Sequence, residues 1–216
     1  MQKKSFIIVL FLSLFLSGCH TVKKFTDDQT VLNYKLEEPK KNIYQVKRSQ
    51  KIGVYASEKR DYIDGPNVIV NKVNTSIFSD SSDSYYTGKK YLAEKPVINI
   101  VLVALIDGLR QMNIQPADAN DSRYVFGCTI QRTDLILENN STLILQMINV
   151  CILVDTEKQK VLWKESIISR GSAPMVVFEE ADDVAKAFND ALTKFVRKIQ
   201  DSPTLQITLD SLQASN

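Results

Sequence analysis

The chain has 216 residues, 44% of them hydrophobic, with 27 Lys and Arg against 25 Asp and Glu and a single histidine. So even a balance gives no field to steer nucleic acid, and no basic stripe interleaved with aromatics runs along the chain. The lone His20 excludes nucleophile–imidazole pairs elsewhere in the chain, and three cysteines without ligand spacing exclude the usual zinc sites, so no catalytic residue, metal or cofactor is expected.

Lys3 and Lys4 precede an apolar run from Phe6 to Phe15, followed by Leu16-Ser17-Gly18-Cys19. That is the order of an export signal: positive, greasy, then small residues at a cut site. The run is too short for a permanent span, which takes about 20 apolar residues. A Cys directly behind the cut site resembles the lipobox of bacterial lipoproteins. The resemblance implies that residues 1–18 are removed and that Cys19 becomes the lipidated first residue; the alternative is an ordinary secretory signal with an accidental Cys. Removing residues 1–18 takes away Lys3 and Lys4, leaving 25 basic and 25 acidic residues. His20 follows Cys19, not the Asp that resembles an inner-membrane retention signal, so an outer-membrane, periplasm-facing position is expected.

Residues 19–50 read as anchor and tether. They are polar, include Pro39 and show no sustained apolar period. Stretched out, such a segment reaches on the order of 100 Å; as a random coil it averages about 30 Å. Tyr34, Leu36 and Tyr44 leave open a docked arm instead.

A single domain is expected over 51–202. Lys51 to Ala56 reads as a first strand. Asn67 to Val73 reads as a second, after a turn at Gly65-Pro66. Ser79 to Ser84 is a polar loop without calcium-loop spacing. A structureless stretch from 57 to 95 would be unusual, so part of it is expected to order against the sheet or a partner. Asp61 and Asp64 are the one carboxylate pair worth weighing for catalysis. Their spacing would align them on a helix, but Gly65-Pro66 favours a turn.

Pro96 to Asn113 reads as a helix with Pro96 at its first turn. Val97, Val101, Leu105, Leu109 and Met112 make its stripe, and Ile98, Ile100, Val103 and Ile106 make most of its girth apolar. Three strands follow, Arg123 to Leu137, Thr142 to Val154 and Val161 to Arg170. Asn139-Asn140 and Asp155 to Lys160 close the two hairpins, and Gly171 to Pro174 ends the run. Glu179 to Ile199 is a strongly amphipathic helix, Pro203 stops it, and the tail 203–216 is expected to fray.

The order strand–insertion–helix–three-stranded meander–helix gives an α+β fold, with a mostly antiparallel sheet and two helices over one face. Thr142 to Val154 is apolar on both faces, so its second face is either covered by the 57–95 segment or an interaction surface. A hairpin symmetric about Asn139-Asn140 sets Cys128 opposite Cys151, within disulfide range. Two buried thiols are the alternative, and a one-residue bulge would turn one cysteine to the other face.

With these elements in place, the chain resembles two groups of small bacterial outer-membrane lipoproteins. Asn99 to Gln115, the meander, and Ala187-Phe188-Asn189-Asp190-Ala191-Leu192 are similar to the YajG-like group. Asp61-Tyr62-Ile63-Asp64-Gly65-Pro66 is similar to a tyrosine-leucine-aspartate-arginine-proline segment of the PqiC-like auxiliary lipoproteins of ABC-type transporters, with Gly65 where the arginine usually stands. Leu153-Val154-Asp155 and Lys160-Val161-Leu162 are similar to that family's second hairpin. The resemblance implies a non-enzymatic domain at the outer membrane, with a docking role in lipid traffic. Expected partners are the membrane, through the N-terminal lipid, and an envelope protein or further copies of the chain. The alternative is an amphiphile carrier using the Pro96–Asn113 helix as a pocket wall.

Overall fold

The computed structural model describes residues 27–29, 42–47, 49–61, 65–70, 73–75, 90–139, 141–174 and 180–214. The signal segment, Cys19, His20, most of the tether, Asp64, the Ser79–Ser84 loop and Asn140 lie outside the described residues.

The described elements, in chain order, are β1 (Asp27–Gln29), β2 (Gln50–Glu58), β3 (Val68–Val70), β4 (Val73–Thr75) and β5 (Lys90–Leu92), then α1 (Val97–Gln111) and β6 (Ile114–Ala117). The meander β7 (Tyr124–Glu138), β8 (Thr142–Asp155) and β9 (Lys160–Pro174) follows, and α2 (Glu180–Gln200) and α3 (Pro203–Ala214) close the chain. The main sheet runs β6-β2-β7-β8-β9, with β4 beside the far end of β7.

The fold is α+β and its sheet is mostly antiparallel, because β7, β8 and β9 form two long hairpin ladders. The departure is at the first strand. β2 pairs parallel with both β6 and β7. Strand β2 leaves the sheet, crosses through α1 and returns as β6, and such a crossover makes neighbours parallel.

Burial along β8 alternates strictly. Leu143, Leu145, Met147, Cys151 and Leu153 point to one face and are fully covered. Helix α2 supplies the other side of this core through Val184, Ala187, Phe188, Ala191, Leu192, Phe195, Val196 and Ile199. Helix α1 adds Val97, Val101, Leu105 and Leu109. Phe126 and Trp163, one strand apart across β8, stack at 5.7 Å in the same layer.

Two close approaches fix how the helices sit. A Cβ on Gly171 would overlap the backbone of Ala187 and Ala191, so α2 rides directly on β9 there. A Cβ on Gly108 would run into Val196, where α1 crosses α2. Gly171 to Pro174 therefore does not end the run as expected. It continues β9, and glycine is needed because helix backbone takes the place of a side chain.

The expectation of a frayed tail is corrected. Residues 203–214 form α3, with Leu205, Leu209 and Leu212 buried. Pro203 opens this helix, since a first-turn residue has no intrahelical use for its N–H. Ser202 Oγ accepts from the Leu205 amide at 3.4 Å. Trp163 Nε1 donates to Thr204 Oγ1 at 3.0 Å, and Tyr44 donates to Asp210 at 2.6 Å.

The described parts of the 57–95 insertion do not add a layer over β8. β3 and β5 join β1 in a separate three-stranded sheet. Arg60, buried, ties that sheet to β7 by donating to the Ile69 carbonyl at 2.8 Å and to Thr133 Oγ1 at 2.9 Å, with Glu58 2.8 Å away as counter-ion.

Candidate interaction surface

The second face of the meander carries Ile144, Gln146, Ile148, Val150, Ile152 and Val154 from β8, all half-buried. Their register neighbours are Ile136, Asp134, Arg132, Thr129, Gly127 and Val125 on β7, and Ser172, Arg170, Ile168, Ser166, Lys164 and Val161 on β9. Tyr55 of β2 lies over Gly127, and Ser57 meets Thr129 at 2.7 Å. Val161 and Ile168 are 52% and 45% exposed. An apolar stripe along β8, broken at Gln146 and flanked by more polar neighbours, thus lies opposite the helices.

The sheet's edges are guarded against indiscriminate pairing. β6 is four residues long and contains Pro116. On β9, the Ser172 amide donates to Asp190 at 2.9 Å, and Lys198 Nζ donates to the Ile168 carbonyl. Beside this edge opens a cleft of about 540 Å³ lined by Ile168, Arg170, Lys194, Arg197, Lys198 and Asp201.

At the other end of the meander, Arg123 reaches Asp155 at 3.2 Å and Glu157 at 3.1 Å and lies 5.0 Å over the Tyr124 ring. Burial pushes the Asp155 carboxyl up, but the Lys158 amide and the Arg123 guanidinium outweigh it and hold it below the usual carboxylate range. The hydrogen bond to Asp155 raises Arg123 in turn. This cluster closes the β8–β9 turn, with Ser49, Gln50 and Lys51 across a small opening.

Cys128 and Cys151 face each other in the ladder, bonded, with Cα atoms 4.1 Å apart and no exposure. The route to this register differs from a symmetric turn. Glu138 pairs with Thr142 across a loop of residues 139–141, one residue longer than expected, and Asn139 has φ 51°. A register shift between Ile130 and Arg132 then removes the offset, so the bulge brings the cysteines together instead of parting them. Asp61 is exposed in the turn after Arg60, and its intended partner Asp64 lies outside the described residues. Among the described residues, no group of three or more His, Cys, Asp or Glu side chains could hold a metal, and no helix is long and apolar enough to cross a membrane. The buried Arg60 pin was not foreseen, and no local pattern in the insertion announces it.

No family model matches the chain, and no curated protein matches it. Among solved structures it is similar to protein XCC0632 from Xanthomonas campestris, described under the family model DUF330, with TM-score 0.56 and 16% identity over 88% of this chain and 98% of that one. A minor lipoprotein from Acinetobacter baumannii aligns with TM-score 0.37 and 13% identity, over 51% of this chain and 84% of that one. A PelC dodecamer from Paraburkholderia phytofirmans aligns with TM-score 0.35 and 10% identity, over 73% and 92% of the two chains. The chain shares its overall fold with the Xanthomonas protein; the weaker likenesses add no argument.

Proposed function

We propose that this is a non-enzymatic lipoprotein, held at an outer membrane through Cys19, whose sheet docks a partner in an envelope transport or assembly system. One observation carries the reading: the apolar stripe of β8 on the β7–β8–β9 face, with Val161 exposed beside one end of it, lies opposite all three described helices. Short or blocked edges support it as well, because they direct association to the face. The amphiphile-carrier reading keeps only part of its wall: Val97, Ile100, Val101, Leu105 and Leu109 of α1 pack in the core, and Ile98, Leu102, Val103 and Ile106 remain on the outer side. Photo-crosslinking in cells tests the docking role. A photoreactive residue at Ile148 or Ile152 is expected to capture one discrete envelope protein or a second copy, while one at exposed Asn99 captures neither. Failure at both face positions overturns the proposal.

A further inference from the structure

The cleft between β9 and the C-terminal half of α2 gathers positive charge in a chain that, without residues 1–18, has as many acids as bases. Arg170, Lys194, Arg197 and Lys198 line it, against Asp201. Asp190 pairs with Lys194 at 2.7 Å, so four cations face two acids. Lys194 and Lys198 are held on the rim by single contacts, to Asp190 and to the Ile168 carbonyl, and an ammonium has three donors. Arg170 is steadied by the Gln146 side chain at 2.7 Å. Among these cations stands Ile168, 45% exposed on an edge strand.

A site for a free inorganic anion has no use for an exposed isoleucine. A bilayer surface uses both, with phosphates meeting the cations and an apolar side chain resting at the headgroup–acyl boundary. We propose that this cleft is a contact for the phosphate headgroups of an anionic bilayer, with Ile168 set at that boundary. The inference rests on the reading of a domain held beside a membrane. It adds an orientation: β9 and the end of α2 turn toward lipid, and the middle of the β7–β8 face stays open to a partner.

The test is amide exchange of the full-length protein purified from membranes, mixed with vesicles of phosphatidylcholine alone or with about one-third phosphatidylglycerol. Exchange across 166–172 and 194–201 is expected to slow about tenfold on the anionic vesicles relative to the neutral ones. The gain should vanish in about 0.5 M salt and in the Arg170→Gln/Arg197→Gln variant, which leaves the contacts of Lys194 and Lys198 in place. Ile168→Asn should weaken protection without abolishing its charge dependence. Equal protection on both vesicles, or none on either while the protein floats with them, overturns the cleft contact and leaves the anchor standing. Association with anionic vesicles alone, lost in salt, upholds the cleft and overturns the anchor. Protection of these segments by an envelope protein without lipid overturns the lipid assignment.

Discussion

Gly171→Ala is the sharpest perturbation the packing offers. The added methyl has nowhere to go: the carbonyl of Ala187 and the amide nitrogen of Ala191 occupy its position, and the Ala187 carbonyl carbon lies 3.0 Å away. Overpacking a core costs roughly 1–3 kcal/mol when side chains can yield. Here the obstacle is helix backbone, so the whole of α2 must lift from β9 and the cost falls near ~3 kcal/mol. Loss of unfolded-state freedom returns about 0.5 kcal/mol, for a net loss of ~2.5 kcal/mol. With a urea slope of about 2 kcal/mol per molar, the midpoint drops by roughly 1.2 M. Gly108→Ala is the internal control. Its nearest obstacle is the Val196 side chain, not backbone, and the helix gains about 1 kcal/mol from replacing glycine, so its loss should be smaller than that of Gly171→Ala. Urea unfolding followed by circular dichroism measures both. A Gly171→Ala midpoint within about 0.2 M of wild type would show that α2 does not ride on β9 at this position.

Replacing Cys128 and Cys151 together by Ala should cost about 3 kcal/mol, the constraint expected of a crosslink spanning 23 residues; two alkylatable thiols in unreduced, unfolded protein would refute the bond. Asn149 is fully buried and neither its Nδ2 nor its Oδ1 has a hydrogen-bond partner among the described residues, so Asn149→Leu should stabilise by about 1–2 kcal/mol in urea. A loss of stability would mean that the amide is satisfied. The Asp155 carboxyl is held low in the folded state, so its contribution is present above the unfolded value and lost as pH falls through the folded one. Asp155→Asn should therefore flatten the acid limb of a stability–pH profile, and an unchanged limb refutes this. Burial and the Asp210 carboxylate push the Tyr44 phenol up to about 12. Its contribution is complete below about pH 10 and lost as pH rises through 12, an alkaline loss that Tyr44→Phe should remove.

What the sequence made legible follows from local periodicity. The meander showed itself in runs such as Thr142 to Val154, and α2 in its repeated Ala, Val and Phe positions, because pattern alone decides these elements. The cysteine pairing emerged although a longer loop and a bulge both departed from the simple turn; the two offsets cancel at Ile130. Helix α3 was also within reach, since Leu205, Leu209 and Leu212 follow Ser202-Pro203 at helical spacing. Pro203 lies just beyond the end of α2, as its place after Ile199 suggests, and it also opens α3. Other features are tertiary and leave no local mark. Gly171 is explained only by a helix 16 residues downstream at Ala187, and the parallel placement of β2 only by where α1 lands. The second face of the meander was half legible: β8 is apolar on both sides in the sequence, whereas the membership of β3 and β5 in a separate sheet shows only in the fold.

The claim beneath the functional account is that Cys19 fastens this domain to a membrane, and the mass of the N-terminal peptide from the membrane-extracted protein tests it most directly. The account predicts a peptide that begins at Cys19 and carries the added mass of fatty acyl chains. A peptide that runs unbroken through Ser17-Gly18-Cys19, or one in which Cys19 is unmodified, would contradict it.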